Sequence, residues 1–223
     1  MNDRSNRFLD GFTLKLIAVI TMLIDHIGYV FLPGTPYYVA ARAIGRLAFP
    51  IFCFLIVEGF HHTKSPAKYL LRLSVFAILS EVPFDLAFFN TPFDIEHQNV
   101  FFTLAIGLAC LFCLEEMNNR IWFVIFFVLL LAVSYFIKCD YGIGGVLLIC
   151  LFYRTKDAAW VQLILAALIF YMFYSPFELI ALISGIFVCF YNGKRGYNKA
   201  QWFFYMFYPL HLLILFGIFQ LVK

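Results

Sequence analysis

Stretches of apolar residues long enough to cross a lipid bilayer follow one another along this chain, and no polar interval between them could bury a soluble core of its own. That pattern predicts an all-α, polytopic transmembrane helix bundle in which a single membrane domain takes up residues 1–223. Composition agrees. Hydrophobic residues make up 64% and charged residues 13% of the chain, against roughly 45–50% apolar in soluble domains. The opening MNDRSNRFLD runs into the first apolar block without a small-residue cleavage site, so the first helix is expected to remain in place. A net charge of +3, spread along the chain, gives no footing for nucleic acid. Of the six cysteines, nearly all lie inside apolar blocks, where thiols act as small hydrophobes. Cys110 and Cys113 spell C-x-x-C but lack a second ligand pair, so no metal is expected.

Apolar runs of transmembrane length place nine helices, roughly at 12–32, 37–60, 67–89, 98–115, 121–137, 141–153, 158–174, 177–191 and 202–222. The sixth opens on YGIGG and is short enough to be a half-spanning or broken segment. Lysines and arginines set the orientation. With the N terminus cytoplasmic, one face holds Arg4, Arg7, Lys64, Lys68, Arg120, Arg154, Lys156, Lys194, Arg195 and Lys199, and the other only Lys138 and Lys223. The positive-inside rule therefore predicts N terminus in and C terminus out, in a bacterial cytoplasmic membrane on the family reading below.

Inside those runs lie residues that are expensive to bury. ITMLIDHIGYV carries Asp25 and His26 side by side, and an ionisable group near the bilayer centre costs about 2.5–3.5 kcal/mol on insertion scales. Arg42 and Arg46 open the second helix four residues apart and so share a face. Glu81 and Asp85 repeat that spacing around Pro83 in the third, Gln98 and Asn99 start the fourth, and Asp140 and Glu178 flank later helices on the same side. His211 sits near mid-depth in the last. The expected arrangement is a polar cleft opening outward, in which two arginines neutralise Asp25, Glu81 and Asp85. Adjacent helical residues point about 100° apart, so Asp25 is not expected to orient His26. Glu81 or Asp85 is the better candidate. An imidazole so held suits general-base chemistry on an incoming hydroxyl or amine. On the inner side Glu58, His61, His62, Lys64, Lys68 and Arg72 form a rim able to receive a phosphorylated cytosolic donor.

The strings LDGFTLKLIAVITMLIDHIG, RAIGRLAFPIFCFLIVEGFHHT, YLLRLSVFAILSEVPFDLAFF, QNVFFTLAIGL and FYPLHLLIL together resemble the TraX family of membrane proteins over about residues 9–222. The resemblance implies a membrane acyltransferase, similar to a wider clan that modifies outer-leaflet or exported acceptors, with acetyl-coenzyme A as the usual cytosolic co-substrate. It implies a catalytic role for His26, a polar shell of Asp25, Arg42, Arg46, Glu81 and Asp85, and an exported protein, glycan or lipid as acceptor. Gln98, Asn99, His211, Glu58 and Arg72 are the further candidates for contacts to substrate or donor. Two other readings fit the same residues: a proton-coupled transporter or exporter, since Asp, Glu and His also build proton relays, and a scaffold whose charges only specify helix packing.

Overall fold

A computed structural model describes residues 7–156, 158–197 and 199–222. Arg4 and Lys223, used above to orient the chain, lie outside the described residues. All nine expected runs are helical, and apart from two isolated bridges no β-structure occurs among the described residues. Helix α1 spans Gly11–Phe31, with Asp10 capping it by accepting from the backbone N–H of Thr13 at 2.8 Å. The second expected helix is two, α2 over Tyr38–Gly45 and α3 over Ala48–His62. The break at Arg46–Leu47 follows from Pro50. Proline has no N–H to offer the Arg46 carbonyl four residues back, and its ring crowds that carbonyl, yet it is tolerated in the first turn of a new helix.

Helix α4, Pro66–Phe89, starts at the Ser65 cap and closes on Asn90 in the left-handed conformation (φ 55°). Asn99 and Asn119 cap α5 (Val100–Glu116) and α6 (Arg120–Phe136). Helix α7, Gly142–Arg154, has 13 residues, about 20 Å of rise, short of the roughly 30 Å hydrocarbon core. Gly144–Val146 and Leu148–Phe152 are buried, so protein shields it on most sides, as a half-length segment requires. After α8, Ala159–Phe173, the eighth expected run departs from a continuous helix: Pro176–Ile183 is 3₁₀ and only Ser184–Cys189 (α9) is α-helical. Helix α10, Gln201–Val222, completes the bundle.

The core centres on α5 and α7, where Leu108, Leu111, Leu148 and Ile149 are almost wholly enclosed. Gly107 permits that approach, because a Cβ there would come 2.3 Å from Ile149 Cδ1. Helices α6 and α8 lie at the periphery. Ser134 is the one buried residue of α6, while Trp122, Val128, Leu129, Trp160, Ile164, Leu168 and Met172 stand exposed. So large an apolar surface suits hydrocarbon rather than water. Gly11–Phe31, Tyr38–His62 and Gln201–Val222 are long and apolar enough to cross a membrane.

Candidate functional site

The break before α3 aims Arg42 of α2 and Arg46, which ends that helix, back at α1. Arg42 Nη1 donates to Asp25 Oδ2 at 2.5 Å, and Arg46 Nη2 to Asp25 Oδ1 at 3.1 Å. Arg46 Nη1 reaches Glu178 Oε1, in the 3₁₀ helix, at 2.8 Å. Gly45 makes room, since a Cβ on it would fall 2.1 Å from Asp25 Oδ1. Two guanidiniums and two carboxylates thus close a balanced network. It lies beside a cleft of about 310 Å³ lined by Tyr38, Val39, Arg42, Arg46, Phe177 and Glu178.

The expected partners of these arginines therefore change. Glu81 and Asp85 form no ion pair among the described residues. Glu81 Oε2 accepts from the side-chain amide of Asn99, whose Nδ2 also bonds the Ala77 carbonyl at 2.8 Å. Asp85 Oδ2 accepts from the backbone N–H of Asp94 at 2.9 Å. Gln98 bonds the Asp94 carbonyl through its side chain and bridges Cys139 through its backbone. Asn99, fully buried, is both the cap of α5 and the partner of Glu81.

His26 is met by neither acid. Its Nδ1 lies 2.7 Å from Nε2 of His211 on α10, with the two rings 9° from parallel. Nδ1 of His211 is 2.8 Å from the Phe207 carbonyl one turn earlier. Phe88 of α4 stands edge-on to His26 at 5.1 Å between ring centroids, and Tyr208 at 6.2 Å. Expected as one pocket, the polar groups fall into separate sets of hydrogen bonds: the arginine network, the histidine pair, Glu81 with Asn99, and Asp85 with the Asp94 backbone. Sequence spacing argued against Asp25 as the orienting group of His26, and Asp25 is held by the arginines instead. A partner 185 residues away could not be read from local spacing.

At the opposite end of α1 a cavity of about 170 Å³ opens between α1, α3, α4, α5 and α10. Lys15, Arg72 and Arg195 line it together with Glu58 and His62, and its apolar wall includes Met22, Leu73, Phe101, Leu104 and Tyr208. Arg72 stacks over Tyr69 with 5.6 Å to the ring centroid. Glu58 lies 3.6 Å from Lys156. Lys15, Val19, Met22 and His26 recur at i, i+4, i+7 and i+11, one stripe of α1. Its first three members line the cavity, which therefore runs toward the histidine pair. Sequence reasoning singled out neither Lys15 nor Arg195 as a site residue. The stripe was the signal that would have found Lys15, while Arg195 is brought to the start of α1 by backbone bonds that sequence does not show, among them Gly11 N–H to the Lys194 carbonyl at 2.8 Å and Asn192 N–H to the Leu9 carbonyl at 2.8 Å.

The model of the family described as TraX protein matches residues 10–219. The chain belongs to the TraX family. A probable fimbrial assembly protein FimC, serogroup H1, from Dichelobacter nodosus is 33% identical over 231 residues, covering 92% of this chain and 93% of that protein. An uncharacterized protein, RP591, of Rickettsia prowazekii (strain Madrid E) is 36% identical over 70 residues, 31% of this chain and 25% of that one. No solved structure matches. For this TraX member the family match spans the helices that carry His26, Arg42, Arg46, Glu81, Asp85 and His211 alike.

Proposed function

We propose that this TraX protein is a membrane acyltransferase that takes an acyl group, acetyl by family likeness, from a coenzyme A thioester and passes it to an amine or hydroxyl presented at the other membrane face. The observation that carries this reading is the cavity below His26 on α1: it is lined by Lys15, Arg72 and Arg195 beside Glu58, has an apolar wall, and reaches Tyr208, whose ring lies 6.2 Å from that of His26. Lys15, Arg72 and Arg195 supply the charge that the phosphates of a coenzyme need. From Lys15 to His26 the rise along α1 is about 16 Å, a depth for an extended pantetheine arm to cover. The arginine-lined cleft over Asp25 gives the acceptor its approach from the other end.

In the reaction, a nitrogen of His26 removes the proton of the acceptor amine or hydroxyl as that nitrogen or oxygen attacks the thioester carbonyl. The C–S bond breaks, the acyl group stays on the acceptor, and the same proton passes to the departing thiolate. Placing the Lys15 end in the cytosol follows the lysine and arginine bias and puts the donor where coenzyme A is made. The name of the Dichelobacter relative favours an exported fimbrial subunit as acceptor.

The test is transfer from isotope-labelled acetyl-coenzyme A to cell-envelope acceptors by purified, reconstituted protein. Wild type is expected to label an acceptor, and His26→Ala to lose roughly 10²-fold or more in rate, the scale of a missing general base. Equal rates for the two proteins would remove His26 from the chemistry.

A further inference from the structure

The hydrogen-bond chain behind His26 fixes which of its nitrogens can react. A backbone carbonyl only accepts, so Nδ1 of His211, 2.8 Å from the Phe207 oxygen, carries its proton toward that oxygen. A neutral imidazole has a single N–H, which leaves Nε2 of His211 as a bare lone pair. Nδ1 of His26 lies 2.7 Å from that lone pair and must be the donor. The reverse polarity would need a doubly protonated His211, a cation buried between Phe207 and Tyr208 with no carboxylate bonded to it among the described residues. Read in order, the protons point from His26 to His211 to Phe207.

We propose that His211 is the positioning residue of this site: it holds His26 in the Nδ1–H form, so that Nε2 is the nitrogen that accepts and returns the proton. The role of Nε2 rests on the function proposed above, whereas the tautomer does not. The helix backbone anchors the device. Because the Phe207 carbonyl is fixed within α10, the two rings keep their plane and direction without any acid nearby. A neutral partner also differs physically from the carboxylate of a Ser–His–Asp triad. It orients the ring and sets the tautomer, but adds little to the stability of the imidazolium that forms during transfer.

Two variants separate the roles. Gln in place of His211 can accept from His26 through its carbonyl and donate to Phe207 through its amide; Leu can do neither. Protein labelled with ¹⁵N-histidine has only five histidines to resolve, and its nitrogen spectra report each tautomer directly. Wild type and His211→Gln are expected to show His26 as Nδ1–H, and His211→Leu to lose that form. With acetyl-coenzyme A, His211→Leu is expected to lower kcat by roughly 10²-fold with donor KM little changed, and His211→Gln to restore most of the loss. An Nε2–H form of His26 in wild type overturns the proposal and needs no variant. So does a His211→Leu protein with unaltered tautomer and kcat. If wild type shows the Nδ1–H form but no donor-dependent turnover, the tautomer assignment stands and the acyltransferase reading falls.

Discussion

Asp25 shows how much a single residue can hold in this fold. Among the described residues its carboxylate is the only anion that Arg42 and Arg46 share, and each of the three side chains is largely buried. Removing one partner of such a set leaves uncompensated charge in low dielectric, at a cost of about 3–5 kcal/mol. Asp25→Asn is therefore expected to lower the melting temperature in detergent sharply, with Asp25→Asn/Arg42→Gln recovering part of the loss; an unchanged melt would show that the network contributes nothing. Gly45 makes a second case. A Cβ 2.1 Å from Asp25 Oδ1 cannot be accommodated without moving the carboxylate or α2, so Gly45→Ala is expected to destabilise by roughly 1–3 kcal/mol, the range for overpacking, measured by the same melts. The i, i+4 spacing of Arg42 and Arg46 made their shared face legible in the sequence. Their choice of Asp25 and Glu178 over Glu81 and Asp85 was not, because pairing across helices depends on where the Pro50 break aims α2.

At the scale of elements, the helices were legible because apolar run length is a strong signal, and their caps (Asp10, Ser65, Asn99 and Asn119) stand at the boundaries. The breaks were harder. No polar interval of loop length marks the break at Arg46–Leu47, and proline early in a helix looks the same whether it starts that helix or interrupts a longer one. The stretch Pro176–Cys189 is apolar apart from Glu178 and two small residues, Ser184 and Gly185, and its 3₁₀ winding carries no compositional mark. The break has a functional corollary. Pro50→Ala restores an N–H for the Arg46 carbonyl and favours one continuous helix. The expected result is equal or higher helicity by circular dichroism, together with lower thermal stability as Arg46 is drawn off Asp25 and Glu178. A variant as stable as wild type would show that the bend at Arg46 is not what positions the arginines.

The whole molecule places a cationic, cavity-bearing end and an arginine-lined cleft at opposite ends of α1, with the histidine pair between them. On the lysine and arginine bias the cavity is expected to face the cytosol. Reporter fusions check this: a C-terminal alkaline phosphatase is expected to be active and a C-terminal GFP dark, and the opposite result would invert the donor and acceptor faces. The account depends most on coenzyme A occupying the cavity beneath His26. Photo-crosslinking of purified protein with a coenzyme A thioester bearing a photoreactive acyl group, mapped by mass spectrometry, measures this directly. Label is expected on the cavity wall around Met22, Leu104 and Tyr208, suppressed by excess acetyl-coenzyme A and weakened by Arg72→Ala. Label confined to the lipid-facing α6 and α8, or indifferent to acetyl-coenzyme A, would contradict it.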